Sequence, residues 1–512
     1  MKIKTLLIIL PSILLIAIIA SLIITVINIK TNNVTVSYSA FKGTNPSSTV
    51  INPPTASTVI YSSTGGVIGK IYGQEEKAYQ YEENPSLYQG TSILYHLINI
   101  PPYSSNHTDL AIAIKLKDQL LTMLLNIGAI TKADINQEKI NTETPYFQVD
   151  QDPYFTEYVI NKLMAKYSNY VLAGGLKVYT TVNTQINNMA QQVVSQDYQK
   201  YVAPVDANSA ALVADNPQNG YILAMIGGPS YQEQQLNMAD EPRQQGSAMK
   251  PLIYVKAFEM GYSPNTMIDD APICYGSYCP VDYEGYTVGW VSIDRAINQS
   301  INIPAIKMLA AIGYQNGVNT LESEGIKLNP NTYYGLPLVL GDAGLTLTNM
   351  VGAYNALANG GYYAQSTPFE KIVESNGAIL LNNTNLSQKR ILNANAVAEM
   401  DQVLGDTSLK APMYGSVTYY YSVQGREYGS KDGTSNGPKD VTDYMFIPQL
   451  SVGGWAGNTN DTNMTQYAVG AFQAGPMVHD FIMNYIQMEN LPVENFPTPT
   501  YPTLNSTTSQ IP

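Results

Sequence analysis

The chain has 512 residues, enough for a sizeable core and roughly two to four domains. Only 13% of them are charged, against about 25% in ordinary soluble domains, so the polar surface falls to Asn, Gln, Ser, Thr and the 39 tyrosines. A net charge of −13 leaves no basic excess to displace counterions from phosphates, which argues against a nucleic-acid partner.

Residues 1–30 read as a cytoplasmic N-terminus and a membrane anchor. Thr5 to Asn28 carries no charge and is rich in Leu and Ile, long enough to cross about 30 Å of hydrocarbon as a helix. Lys2 and Lys4 precede it and favour a cytoplasmic start, so the remainder is expected outside the plasma membrane, held by a single pass. A cleaved signal peptide is the competing reading; its apolar core is usually shorter, and no small-residue cleavage site follows Ile29-Lys30.

Residues 31–57 are rich in Thr, Ser, Asn and Pro and read as a linker. Residues 58–205 form a pedestal region. It opens on Thr58–Gly73, which alternates around Gly65-Gly66 as a hairpin does. A helix is predicted over Leu110–Ile127, with Asp109 as N-cap and Gly128 as stop. A second is predicted over Pro153–Tyr170, then a strand over Leu176–Val182 and a helix from Thr184 to about Lys200.

The main domain is placed at 206–490. Ala210–Asp215 and Tyr221–Ile226 are apolar runs joined by Asn216-Pro217-Gln218-Asn219-Gly220, a hairpin signal. Helical patterns dominate from Ser247 to about residue 410, and strand character returns at Ser430–Ser435, Tyr444–Trp455 and Gln466–Phe472. Strands, then helices, then strands make an α+β domain whose sheet is completed by the C-terminal strands. The tail, residues 491–512, is Pro/Thr/Ser/Asn-rich and expected to be disordered.

Cys274 and Cys279 are the only cysteines; outside the cytoplasm they close a small disulfide or remain two free thiols. They have no nearby histidine, and His96, His107 and His479 fall in no metal-ligand or catalytic spacing, so neither a metal nor a cofactor is expected.

Three short segments carry chemistry. In Ser247-Ala248-Met249-Lys250, the i, i+3 spacing puts a nucleophile and an amine on one helix face at the helix's positive end. Pro251 is tolerated there because its missing N–H would have no helical partner. A desolvated lysine can serve as general base, so the pair suits a serine acyltransferase working without histidine. Ser300-Ile301-Asn302 follows a helix-like stretch and supplies a proton relay and an amide. Lys431-Asp432-Gly433-Thr434 opens a strand and supplies a cation, with Gly433 allowing close approach of a substrate backbone.

With their flanks, these segments resemble the transpeptidase domain of the class A penicillin-binding proteins. The resemblance rests on Arg243-Gln244-Gln245-Gly246-Ser247-Ala248-Met249-Lys250-Pro251, Ile268–Ile273, Ser300–Ala305, Leu340-Gly341 with Leu345–Thr348, Ala358–Gly361 and Pro448–Trp455. In the pedestal it rests on Gly174–Thr181 and the first hairpin. It implies a penicillin-binding/serine β-lactamase-like fold, an antiparallel sheet with helices on both faces. It also implies a peptidoglycan D,D-transpeptidase: Ser247 attacks a D-Ala–D-Ala stem peptide with Lys250 as base, and Ser300 relays a proton. Asn302 holds the substrate amide, Lys431 and Thr434 meet the terminal carboxylate, and the N–H groups of Ser247 and Thr434 form the oxyanion hole. β-Lactams would inhibit it, and water in place of an acceptor amine would make it a D,D-carboxypeptidase.

Two departures qualify the resemblance. Between the first hairpin and the pedestal, where such proteins carry a glycosyltransferase domain, its catalytic motif is missing. Glu75-Glu76 lacks the right surroundings, and residues 90–131 look like a retained tail. Polymerisation would then fall to a separate partner. Asp432 stands where the family has Thr or Ser; an ionised aspartate about 4 Å from a substrate carboxylate opposes binding by up to about 4 kcal/mol at an effective dielectric of 20. A weakened scaffold protein of a wall-synthesis complex is therefore the alternative function, whereas a β-lactamase would need a water-activating acid that the sequence does not offer.

Overall fold

The computed structural model describes residues 57–71, 147–283, 285–384, 388–500 and 510–511. The chain divides after Pro53, and the described residues all belong to the second unit. The expected anchor, most of the linker, the helix at Leu110–Ile127 with Asp109 and Gly128, Glu75-Glu76, the segment 90–131, His96 and His107 lie outside the described residues. Among the described residues no helix is long and apolar enough to cross a membrane.

Five antiparallel strands form the main sheet, in the order Gly429–Thr434, Asp440–Ile447, Leu450–Gly457, Ser209–Asn216 and Tyr221–Ile226. The three inner strands are buried almost throughout, as a sheet covered on both faces must be. Leu347–Ala358 and the helix Lys250–Glu259 belong to the core on one face. Thr184–Asp197 and Gly475–Met488 belong to the core on the other. Glycines let the helices approach: a Cβ on Gly453 would fall 2.6 Å from Val351, and one on Gly454 2.8 Å from Val478.

The pedestal is held by local polar devices. Asn183 caps the helix Thr184–Asp197 by accepting from the N–H groups of Gln185 and Ile186. One turn on, Asn187 donates to Asp152 at 2.9 Å and accepts from the backbone of Met225 at 2.9 Å, tying pedestal to main sheet.

Three expectations need correction. The segment 247–410 is not helical throughout: Phe369–Val373 and Ile379–Asn382 form a hairpin that pairs with Lys177–Thr180. They complete a six-stranded pedestal sheet with Thr58–Tyr61, Val67–Ile71 and Phe147–Val149. Gln466–Phe472 is not a strand; a helix starts at Gly470, where a Cβ would strike the carbonyl oxygen of Thr442 at 2.2 Å. The described part of the tail is fastened down. Arg426 donates to the carbonyls of Leu491 and Pro492, Phe496 packs edge-on against Phe446, and Gln510–Ile511 pairs in parallel with Met267–Asp269.

Candidate active site

Ser247 sits in a 3-10 turn, Gly246–Met249, that runs straight into the helix Lys250–Glu259. Eclipsed i, i+3 side chains in such a turn put Ser247 and Lys250 on one side. The turn is wedged tightly against the edge strand. Gly246 has φ +56°, and a Cβ there would lie 2.6 Å from the Thr434 backbone. Gly433 does not await a substrate backbone, as expected from sequence: a Cβ there would lie 2.1 Å from the Gln245 carbonyl oxygen. Its missing side chain admits the nucleophile turn itself. That contact sets the backbone of Thr434 beside Ser247. Gln245 holds the turn from within, donating to the carbonyls of Arg243 and Leu345 and accepting from Tyr444. Tyr354 donates to Ala248 O at 2.8 Å.

Ser300 lies in the left-handed region, φ 58°, between the helices Ile293–Asn298 and Asn302–Ile312. For a non-glycine residue that conformation costs about 1–2 kcal/mol. It turns the two ends of Ser300 to two different lysines. Its carbonyl accepts from Lys250 Nζ at 2.5 Å, and its hydroxyl accepts from Lys431 Nζ at 3.0 Å. Lys250 Nζ also donates to Ile301 O at 3.1 Å and Asn302 Oδ1 at 2.9 Å. The side chain of Lys250 is fully buried, whereas Ser247, Ser300, Asn302 and Thr434 are half-buried and line an accessible cleft.

Asn302 is fixed by a loop that sequence reasoning passed over. Asp282 Oδ1 accepts from the N–H groups of Asn302 (2.8 Å) and Ile303 (3.0 Å), and Asn302 Nδ2 donates to Val281 O. This loop follows Cys274 and Cys279, which form a disulfide. Burial, with the neighbouring Asp282 carboxylate adding to it, pushes Asp270, on the other side of the disulfide in the chain, up to about 7.

At the other end of the cleft Lys431, 1% exposed, donates to Asp432 Oδ1 at 2.8 Å and to Asp432 O at 3.0 Å. Asp432 Oδ1 accepts as well from the phenol of Tyr414 at 2.7 Å. Burial alone would raise the Asp432 carboxyl; the Lys431 charge and the hydrogen bonds from Lys431 and Tyr414 outweigh it and hold the group below the usual carboxylate range. Asp443 stands directly opposite Asp432 on the neighbouring strand. Burial first, then the Asp432 charge, push Asp443 well above its ordinary value. Lys410 donates to Leu404 O and Ser430 Oγ, and burial lowers it to about 7.

The structure thus brings Ser247, Lys250, Ser300, Asn302, Lys431, Gly433 and Thr434 to one cleft, and pairs Asp432 with Lys431. Sequence reasoning missed Gln245, Asp282, Tyr414, Lys410 and Asp443. Gln245 lies inside the quoted nucleophile segment; the others carry no local signal. Among the described residues no cluster of His, Cys, Asp or Glu is arranged to hold a metal ion.

An antiparallel sheet between two helical layers, with a serine–lysine turn packed on its edge strand, defines a class of serine acyl-transfer domain. Residues 210–463 match the family of the penicillin binding protein transpeptidase domain, and the chain belongs to the penicillin-binding protein transpeptidase family. Penicillin-binding protein 4 of Bacillus subtilis is 29% identical over 315 residues, covering 60% of this chain and 48% of that relative. Penicillin-binding protein 2D of the same organism is 30% identical over 325 residues, covering 60% and 45%. The match therefore spans a little under half the length of these curated relatives. Among solved structures, PonA1 of Mycobacterium tuberculosis in complex with penicillin V superposes with TM-score 0.60 at 21% identity, covering 69% of this chain and 97% of that one. Penicillin-binding protein 1A of Haemophilus influenzae gives 0.62 at 17%, covering 86% and 94%. These likenesses establish the fold.

Proposed function

We propose that the chain is a serine D,D-transpeptidase of peptidoglycan synthesis that forms an acyl-enzyme on Ser247 and binds β-lactams covalently at the same atom. The observation that carries the reading is the double engagement of Ser300, whose carbonyl meets Lys250 and whose hydroxyl meets Lys431. In the first step Ser247 Oγ bonds to the carbonyl carbon of a stem peptide while its proton passes to Lys250 in the neutral form. The oxyanion is met by the N–H groups of Ser247 and Thr434, the scissile C–N bond breaks, and the leaving amine takes up the proton that Lys250 accepted, passed on by the Ser300 hydroxyl. An acceptor amine then attacks the ester, releasing Ser247 and closing a cross-link; water in its place gives a carboxypeptidase. The proposal places this domain outside the plasma membrane behind the apolar segment 5–28, with polymerisation left to a separate glycosyltransferase.

The Lys431–Asp432 pair favours a second reading, a weakened scaffold protein that keeps the fold. Full-length chain exposed to a fluorescent penicillin and to its methyl ester separates the two. A covalent adduct in the wild type that vanishes in Ser247→Ala supports the enzyme. No adduct from either probe, in the wild type and in Asp432→Thr alike, sinks it in favour of the scaffold.

A further inference from the structure

The cleft's cationic end is already occupied by a carboxylate of its own chain. Asp432 Oδ1 lies 2.8 Å from Lys431 Nζ, the separation of a charge-assisted hydrogen bond, and Tyr414 supports the same oxygen at 2.7 Å. The Asp432 side chain is enclosed rather than mobile. It is 6% exposed, and Gly470 passes so near that a Cβ there would sit 3.0 Å from the Asp432 Cβ. Asp443 shares the Asp432 face, directly across the strand pair, and Lys410 is turned to Leu404 O and Ser430 Oγ. Thr434 Oγ1 accepts from Gly470 N at 3.2 Å, which leaves its hydroxyl proton as the donor toward the cleft.

We propose that Asp432 is a specificity-determining residue: it fills the place at Lys431 that a donor's terminal carboxylate would take, so the site selects acyl donors whose leaving end is uncharged. This rests on the acyl-transfer reading above and narrows its substrate. The preferred donor has a leaving residue that ends in an amide or ester, or continues as peptide, in place of a free D-Ala carboxylate. A donor carboxylate about 4 Å from ionised Asp432 meets a repulsion of up to about 4 kcal/mol at an effective dielectric of 20, equivalent to roughly a thousandfold in affinity. A neutral donor meets none, and Lys431 remains free to hold Ser300 Oγ in position for proton transfer.

The test is the ratio of second-order acylation rates of full-length chain by a penicillin methyl ester and the parent acid, each divided by its own hydrolysis rate in buffer and read as intact protein mass. The wild type is expected to favour the ester. Asp432→Thr and the isosteric Asp432→Asn are expected to move that ratio toward the acid by about a hundredfold, in protein that melts at a lower temperature but still cooperatively. A wild type that reacts about tenfold faster with the acid overturns the proposal whatever the variants do. A ratio unchanged in two folded variants overturns it as well. Absence of any Ser247 adduct from both probes removes the acyl-transfer reading itself, and the inference with it.

Discussion

Lys250 and Lys431 are both buried and both reach Ser300, by different hydrogen bonds. Lys250 donates to Ser300 O, Ile301 O and Asn302 Oδ1, all uncharged oxygens. Lys431 donates to a carboxylate. These hydrogen bonds orient the Lys250 amine, which suits a group that must take and return a proton. A carboxylate at 2.8 Å makes an ion pair, which suits a group that holds Ser300 by its charge. One serine, turned by its left-handed backbone, gives its carbonyl to the first lysine and its hydroxyl to the second. On the proposed mechanism the two ends of the cleft would divide the labour: proton transfer at one, electrostatic positioning at the other.

The sharpest way to break that division is at Lys250. Lys250→Met removes the proposed base and should slow Ser247 acylation by about 10²- to 10⁴-fold while leaving the fold intact, measured by intact mass and thermal melting. Loss below about threefold would assign the proton to another group.

A smaller effect is expected behind the opposite end, at Lys410. Its pKa is lowered to about 7 by burial, so between pH 7 and about 10 the unfolded chain binds a proton there that the folded chain does not. Stability then rises with pH over that window, by up to about 1.4 kcal/mol per pH unit. Lys410→Met should lack this rise, and chemical denaturation at pH 7, 8 and 9 compares the two. Parallel curves would show that Lys410 stays charged in the fold.

Least is expected from Tyr414→Phe, which removes one hydrogen bond to Asp432, worth about 1–3 kcal/mol when the acceptor is charged. The Asp432 carboxyl should then titrate higher, and the ester-to-acid acylation ratio should fall severalfold near pH 5 and little at pH 8. An unchanged ratio at both would mean that Lys431 alone fixes Asp432.

How much was legible in the sequence varies with the range of the contact. The hairpins at 58–71 and 209–226 and the helix start at Thr184 rest on residues a few positions apart, so local pattern sufficed. Phe369–Val373 and Ile379–Asn382 were not legible as pedestal strands. Their partner, Lys177–Thr180, is remote in sequence, and short apolar runs do not announce a period. The same holds for Asp282, whose role at Asn302 exists only because its loop returns to a helix N-terminus. Gly433 was legible as a close-approach position, though not what approaches it.

By itself the sequence determined the chemical parts: a serine and a lysine one turn apart, a serine and an asparagine bracketing a helix start, and a lysine at the opening of a strand. It also determined that an aspartate follows that lysine. Tertiary structure alone decided what the aspartate does. Adjacent residues on a strand point to opposite faces, so spacing would separate Lys431 from Asp432. The long lysine side chain bends back across the strand edge because Ser300, Tyr414 and Gly470 enclose the space in which its ammonium and the carboxylate can meet. That enclosure is assembled from segments far apart in the chain, and no local pattern encodes it.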